Sequence, residues 1–449
     1  MRFLRSPGFL AAAGAVAMGL ALQRSSGMYD PLSLALATLT SACAVAAALL
    51  ARRAQQPRAE LLAMLILGAG IAHGLWCHIF EVPTFYADPS RMQGFRYLAF
   101  FTLLITSAYL CVHLRASLNK ARFLAALLIF AAMGAAILHL SPEPRIDVFL
   151  FRSIGGDALA HGFNPYSISY PDLYAATGET LKMYGPELVK DGRVLVYPYP
   201  PLTPLLDAAA YTLLHDVRWL NLAAFIVAAW AIGRIGQSQP LAELAALFLL
   251  FQGRSFFVLE QAWTEPIVLA AFTVSLLLAL QPEPRWLALG LALGVLAASK
   301  QYSPLLILPI LAAYPREQRA RAALTALALL AAVTLPFVLW DAQGFVTDVI
   351  RMQFVQPLRL DSLSLLTALA RVRELPPAAT LLGFVAAAAV LALTLRRNLT
   401  ALQAATAAGA SWLVLVLLSK QAFCNYDFLG QGLLCTAVAA SARKEGPAT

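Results

Sequence analysis

Charge is scarce in this chain, and it is unevenly chosen. Asp, Glu, Lys and Arg make up only 13% of the 449 residues, where soluble domains carry about 25%. Lysine is rarer still, six residues beside 27 arginines. The five cysteines (Cys43, Cys77, Cys111, Cys424, Cys435) show no CxxC spacing and sit mostly inside apolar segments. They read as small core residues rather than a metal or disulfide framework. The sequence also lacks GxGxxG, HExxH, GxSxG and a P-loop. Dinucleotide, zincin, hydrolase and P-loop chemistry are thereby set aside. His73 and His78 have no further ligand set, and Asp147 and Asp157 form no DxD pair. No cofactor and no divalent ion is expected.

Apolar residues are what the chain has in abundance. It is 60% hydrophobic, with a mean hydropathy of +0.70, and the expected fold class is an all-α polytopic membrane protein. The formal charge of +9 comes from short basic clusters between apolar runs. That pattern is the cytoplasmic excess that orients membrane proteins, so no nucleic-acid partner is expected and the lipid bilayer is. Spans are expected near 8–22, 31–51, 60–80, 97–114 and 122–140. The opening stretch resembles a signal peptide but runs on without an obvious cleavage site, and is taken as a retained first helix.

ARRAQQPR, RASLNKAR, YPREQRARA (314–322), LRRN (395–398) and SARKEG (441–446) are expected in the cytoplasm. Residues 141–200, SKQYS (299–303), FVLEQAWTE (257–265), SKQAFCNYD (419–427) and the segment from Trp340 then fall outside. The two halves agree if 199–214 lies at the outer interface instead of crossing; the alternative is a real span there plus a single long helix through 285–314. About 12–14 transmembrane helices result, in the cytoplasmic (inner) membrane.

On this topology a polar set converges on the outer boundary: Asp147, Asn164, Tyr166, Tyr199, Glu260, Gln261, Glu265, Lys300, Gln301, Lys420, Gln421 and Tyr426. Ionisable groups at membrane depth are costly and mark functional sites. Ser299-Lys300-Gln301 is echoed by Ser419-Lys420-Gln421. Two of the few lysines in matching tripeptides on one face point to a site for an anionic head group, and simple snorkelling is the structural alternative. Glu265 stands in Thr-Glu-Pro, a helix start. Gly155-Gly156 and Gly162 are read as turn formers that let the loop fold back over the site.

Asp147-x-Phe149, then Gly162-Phe163-Asn164-Pro165-Tyr166, then Tyr197-Pro198-Tyr199-Pro200-Pro201-Leu202 resemble motifs of the GT-C superfamily of membrane glycosyltransferases. The resemblance is to glycosyltransferase family 87, which includes polyprenyl-phosphate-mannose-dependent mannosyltransferases. Gly290-Leu291-Ala292-Leu293-Gly294 running to Lys300 is similar to that family's glycine-rich helix ending in lysine. The likeness covers residues 122–345, including the loop 141–216. Residues 1–121 precede it as extra helices, and 346–449 follow as an outer loop and terminal helices. It implies a GT-C-like fold with juxtamembrane helices in a large extracytoplasmic loop. It implies sugar transfer from a polyprenyl-phosphate donor to a lipid or glycan acceptor, with Asp147 as catalytic base and the other polar residues as substrate contacts. The family's Gly-Gln element is Glu260-Gln261 here. The competing readings are a multi-pass lipid or glycan transporter or flippase, an O-antigen-type ligase, and a structural scaffold.

Overall fold

The computed structural model describes residues 5–53, 56–111 and 119–444, and most of them are helical. The basic stretch RASLNKAR begins outside the described residues, and the SARKEG tail runs past them. Among the described residues six helices are long and apolar enough to cross a membrane: Pro31–Leu50, Pro57–Phe80, Ala121–Leu140, Arg218–Ile235, Arg316–Trp340 and Pro377–Thr394. Pro7–Ser25 and Cys424–Ala442 are helices of 19 residues each that pack on one another and on the central helices. Prolines repeatedly begin these helices, as at Pro7, Pro31, Pro57, Pro240, Pro266 and Pro304. In the first turn the missing N–H of proline costs nothing. Thr400 and Gln403 form a reciprocal capping box that starts Ala401–Leu417. Glu265 does open a helix, Glu265–Ala279, with Pro266 in its first turn.

A second, separate hydrophobic cluster sits on one end of this bundle. It unites Phe151, Tyr166, Tyr170, Tyr184, Tyr197 and Tyr199 with Phe337, Phe345, Val349 and Met352. This layer is built from the 147–201 segment and from 337–355, which returns to it after the long helix Arg316–Trp340. Within it lie the helices Asp147–Ala160 and Leu202–Leu214, which pack side by side. The latter has 13 residues, so it rises only about 20 Å. The layer also carries a small antiparallel sheet with Arg193–Val194 in the middle, between Tyr170–Pro171 and Val189–Lys190. Its hairpin turns at Asp191 and Gly192, both at positive φ (50° and 71°). Asp-Gly is the pair that a two-residue hairpin turn selects.

The glycine pair has a different job from the one expected. Gly155 and Gly156 lie inside Asp147–Ala160, not at a turn. A Cβ on Gly156 would meet the Asp207 backbone at 2.8 Å, and one on Gly155 would meet the Tyr197 ring at 2.5 Å. Gly156 allows close packing of Asp147–Ala160 on Leu202–Leu214 and Gly155 makes room for the Tyr197 ring, contacts that chain-local patterns do not report. Gly162, at φ 81°, does turn the chain.

At that contact lies a fully buried ion pair. Arg152 donates through Nη2 to Asp207 Oδ1 (2.5 Å) and through Nε to both carboxylate oxygens (3.0 and 3.1 Å). Its Nη1 reaches Asn221 Oδ1 (2.8 Å) and the Ala262 carbonyl (2.5 Å). One guanidinium therefore joins both layer helices to Arg218–Ile235 and to the turn before Glu265.

The opposite end of the bundle gathers the basic turns 314–322 and 395–398. Arg319 donates to Tyr314 O (2.7 Å), Ala312 O (2.8 Å) and Asn398 Oδ1 (3.1 Å), and also to Arg397 O. Gly156→Ala is expected to lower stability by about 1–3 kcal/mol through overpacking of the layer helices. Gly94→Ala, where nothing lies within 4 Å, is the neutral control. Thermal unfolding of both variants in detergent measures the difference, and equal midpoints would refute the close-packing role.

Candidate functional site

The central helices are too short to reach across a bilayer. Pro240–Phe251, Glu265–Ala279, Trp286–Ser299 and Pro304–Ala313 have 12, 15, 14 and 10 residues. At 1.5 Å per residue they rise roughly 15–23 Å, against a hydrocarbon core of about 30 Å. The buried polar ends of Glu265–Ala279 and Trp286–Ser299 meet in a recess against the layer.

Glu265 and Lys300 face each other there. Glu265 is the first residue of its helix and Lys300 closes the next one, Trp286–Ser299. Each charge thus complements the dipole of its own helix end. Lys300 Nζ lies 3.3 Å from Glu265 Oε1, with side-chain exposures of 10% and 0%. The Tyr302 hydroxyl donates to the same oxygen at 3.2 Å, while Oε2 has no hydrogen-bond partner among the described residues. Tyr302 packs on Trp412 at 4.2 Å, and Trp412 Nε1 donates to the Tyr426 carbonyl at 2.9 Å. The helix that ends in Lys300 lies close against Arg316–Trp340. A Cβ on Gly290 would meet Thr325 Cβ at 2.5 Å, and one on Gly294 would meet Leu329 Cβ at 2.7 Å.

Tyr199 links this pair to Asp147. The Lys300 ammonium sits 5.0 Å from the centroid of the buried Tyr199 ring. Burial raises the Tyr199 hydroxyl well above its ordinary pKa, and the charges of Asp147 and Glu265 both add to that rise. The backbone of Tyr199 is held from behind by the Asn164-Pro165-Tyr166 element. Tyr166 donates its hydroxyl to Tyr199 O (2.7 Å), and Asn164 Oδ1 accepts from Tyr166 N (3.1 Å). Two motifs 33 residues apart thus form one wall.

Asp147 opens its own helix and is half-buried. The Val148 amide donates to Oδ1 (2.8 Å) and the Tyr184 hydroxyl to Oδ2 (2.9 Å). Burial raises its pKa above the usual aspartate value, while the Tyr184 and Val148 hydrogen bonds and the Arg359 charge pull the other way. Arg359 is itself paired with Asp361 through Nε and Nη2, both at 2.8 Å. Asp157 is different: it is solvated and pairs only with exposed His161 at 3.2 Å.

The structure gives the remaining expected residues other partners. Gln301 Nε2 donates to Val349 O (3.0 Å) and Pro198 O (3.4 Å), tying the layer to the recess. Glu260 accepts from the amides of Phe85, Tyr86 and Ala87 (2.8, 2.9 and 3.0 Å) and from Gln261 Nε2 (3.1 Å). Those two side chains anchor the loop after Pro57–Phe80. The echo of the lysine tripeptide also divides. Lys420 Nζ donates to Phe354 O (3.1 Å) and Gln356 O (2.6 Å), and Gln421 Nε2 reaches Pro357 O (3.3 Å). The second lysine braces a loop while the first enters the recess.

No family model, curated protein or solved structure matches this chain.

The residues that sequence reasoning passed over are Tyr184, Tyr302, Arg152 and Asp207. A charged residue five positions into the helix that Asp147 opens was a signal for Arg152. Tyr184 and Tyr302 offered none beyond being aromatic near polar neighbours. Among the described residues no three of His, Cys, Asp and Glu gather as a metal group. Chemically, the described residues offer one half-buried carboxylate at the layer, one buried cation and a carboxylate oxygen with no hydrogen-bond partner among them.

Truncation by Lys300→Ala strands the Glu265 carboxylate in a buried site and should cost about 3–5 kcal/mol. Adding Glu265→Gln on that background should recover most of the loss. Equilibrium unfolding of the two single variants and the double variant reads the coupling. Strictly additive losses would show that the pair does not act as a unit.

Proposed function

We propose that this chain is a GT-C-type membrane glycosyltransferase of about 12–14 transmembrane helices. In this reading it moves a sugar from a polyprenyl-phosphate donor to a hydroxyl of a lipid or glycan acceptor. The reaction takes place on the outer face of the cytoplasmic membrane, with the 147–201 layer on that side. The observation that carries it is Tyr199, whose ring faces the recessed cation Lys300 and whose hydroxyl feels the charge of the half-buried carboxylate Asp147. A lipid-linked sugar phosphate needs both: its phosphate lies at membrane depth and its sugar meets the acceptor at the boundary.

The steps follow from these groups. The acceptor hydroxyl gives its proton to the Asp147 carboxylate as its oxygen attacks the anomeric carbon. The bond from that carbon to the phosphate oxygen breaks, and the lipid phosphate departs with the bonding pair. Lys300 lies where that growing charge is stabilised, in a site largely closed to water. Glu265 Oε2 is free to accept a hydrogen bond from a sugar hydroxyl. Tyr184 holds Asp147 in place and keeps it ionised to lower pH, while burial makes it a stronger base.

Asp147→Asn retains size and most hydrogen bonding, so folding and donor binding should persist. Transfer from a polyprenyl-phosphate sugar should fall about 10²–10⁴-fold, whereas Asp157→Asn should change it little. Near wild-type turnover by purified Asp147→Asn protein would falsify the assignment.

The same carboxylate sets a pH dependence. A base must be deprotonated to act, so kcat/KM should rise with pH through the elevated Asp147 pKa and be lost on acidification. Tyr184→Phe deletes a hydrogen bond to the charged form, which raises that pKa further. Its acid limb should move to higher pH with little change in the plateau. An unmoved limb in the pH–rate profile would assign the limb to another group.

A further inference from the structure

The end of the bundle away from the layer holds a cavity that the transfer reaction does not use. It is a wide-mouthed hollow, largely open to the surface, lined by Leu311, Ala312, Arg319, Leu395, Arg396 and Arg397. Its position follows from chain direction. Pro304–Ala313 leaves the recess near Lys300 and runs away from the layer, and Arg316–Trp340 returns to it. The turns that connect these helices and that follow Leu382–Thr394 therefore share the far face.

The cavity has a fixed floor and free walls. Arg319 spends its donors on the carbonyls of Ala312, Tyr314 and Arg397 and on Asn398, and the Leu399 amide donates to Ala312 O at 3.0 Å. Two chain turns are thereby locked together. Arg396 and Arg397 are exposed. Among the described residues Arg396 makes a hydrogen bond only to the neighbouring Leu395 carbonyl, at 3.2 Å. Arg319 is close to a further cation, Arg316, and to the carboxylate of Glu317, on the first turn of Arg316–Trp340. Leu311 and Leu395 supply an apolar side.

The neighbouring helices are bare. Only 17% of the apolar window is buried in Arg316–Trp340 and again in Pro377–Thr394, so lipid covers them. A basic cavity at the end of lipid-covered helices matches an anionic head group whose acyl chains lie along those helices. Arginine suits it, since its fork binds phosphate oxygens in pairs.

We propose that this cavity binds the phosphate head group of an anionic phospholipid from the leaflet on the far face. The site is separate from Asp147 and Lys300, and it does not depend on the reaction proposed for them.

Native mass spectrometry of the full-length protein, released from nanodiscs containing phosphatidylglycerol and phosphatidylcholine, tests this. Wild type should retain phosphatidylglycerol over phosphatidylcholine. Arg396→Ala with Arg397→Ala should weaken that retention about 10–30-fold, at roughly 1 kcal/mol per arginine near the surface. Both side chains are exposed, so the melting temperature without anionic lipid should match wild type. The paired Arg→Lys variant should keep part of the preference, because charge persists while the fork is lost. Inorganic phosphate at millimolar concentration should compete weakly. Equal retention of the two lipids, or full retention by the double Ala variant, would overturn the proposal. Complete displacement by inorganic phosphate would also overturn it, by showing a site for a soluble anion.

Discussion

The buried Arg152–Asp207 pair is the constraint on which the placement of the site depends. A guanidinium with no exposed surface must have its charge balanced and its donors satisfied, or the fold loses several kcal/mol. Here the partners come from Leu202–Leu214, Arg218–Ile235 and the turn at Ala262. Meeting them all fixes the rotation of Asp147–Ala160 about its axis and its height above the bundle. Asp147 is five residues before Arg152 on the same helix, so its position is fixed with it. Gly156 allows the approach that the ion pair then locks.

Depth is the second constraint. Ordinary spans present their charged ends at the interface, where water pays much of the cost of solvation. The central helices are short, and Glu265 and Lys300 meet at the buried ends of two of them, where each is stabilised by the other and by its helix dipole. The layer then roofs the recess through Gln301, Tyr199 and the aromatic cluster behind them. Helices such as Arg316–Trp340 are long and apolar enough to cross a membrane and little buried by the rest of the chain, whereas the short ones bring polar ends together.

Much of this was legible from local pattern. The apolar runs at 31–51, 60–80 and 122–140 fall on helices long and apolar enough to cross a membrane, and the Thr-Glu-Pro start was in place. Asn164-Pro165-Tyr166 and Tyr197-Pro198-Tyr199 were picked out together, and they do form one wall. The lysine echo was legible as a pair but not as two roles. Lys300 and Lys420 share identical flanks, and only the neighbours supplied by other segments separate a recessed ion-pair partner from a loop brace. Glu260 reads like any acid near an outer boundary until the amides of 85–87 arrive from far along the chain.

The sequence by itself determined that this chain is helical and apolar, and which short polar segments interrupt its helices. Those properties follow from composition, periodicity and punctuation, each written within a few neighbouring residues. Only the tertiary structure decided which of the interrupting charges meet. Arg152 and Asp207 are 55 residues apart and Glu265 and Lys300 are 35 apart, and a charge's role is set by the partner that desolvation forces it to find. That partner is a property of the packed fold, in which helix length and close glycine contacts bring distant side chains to the same depth.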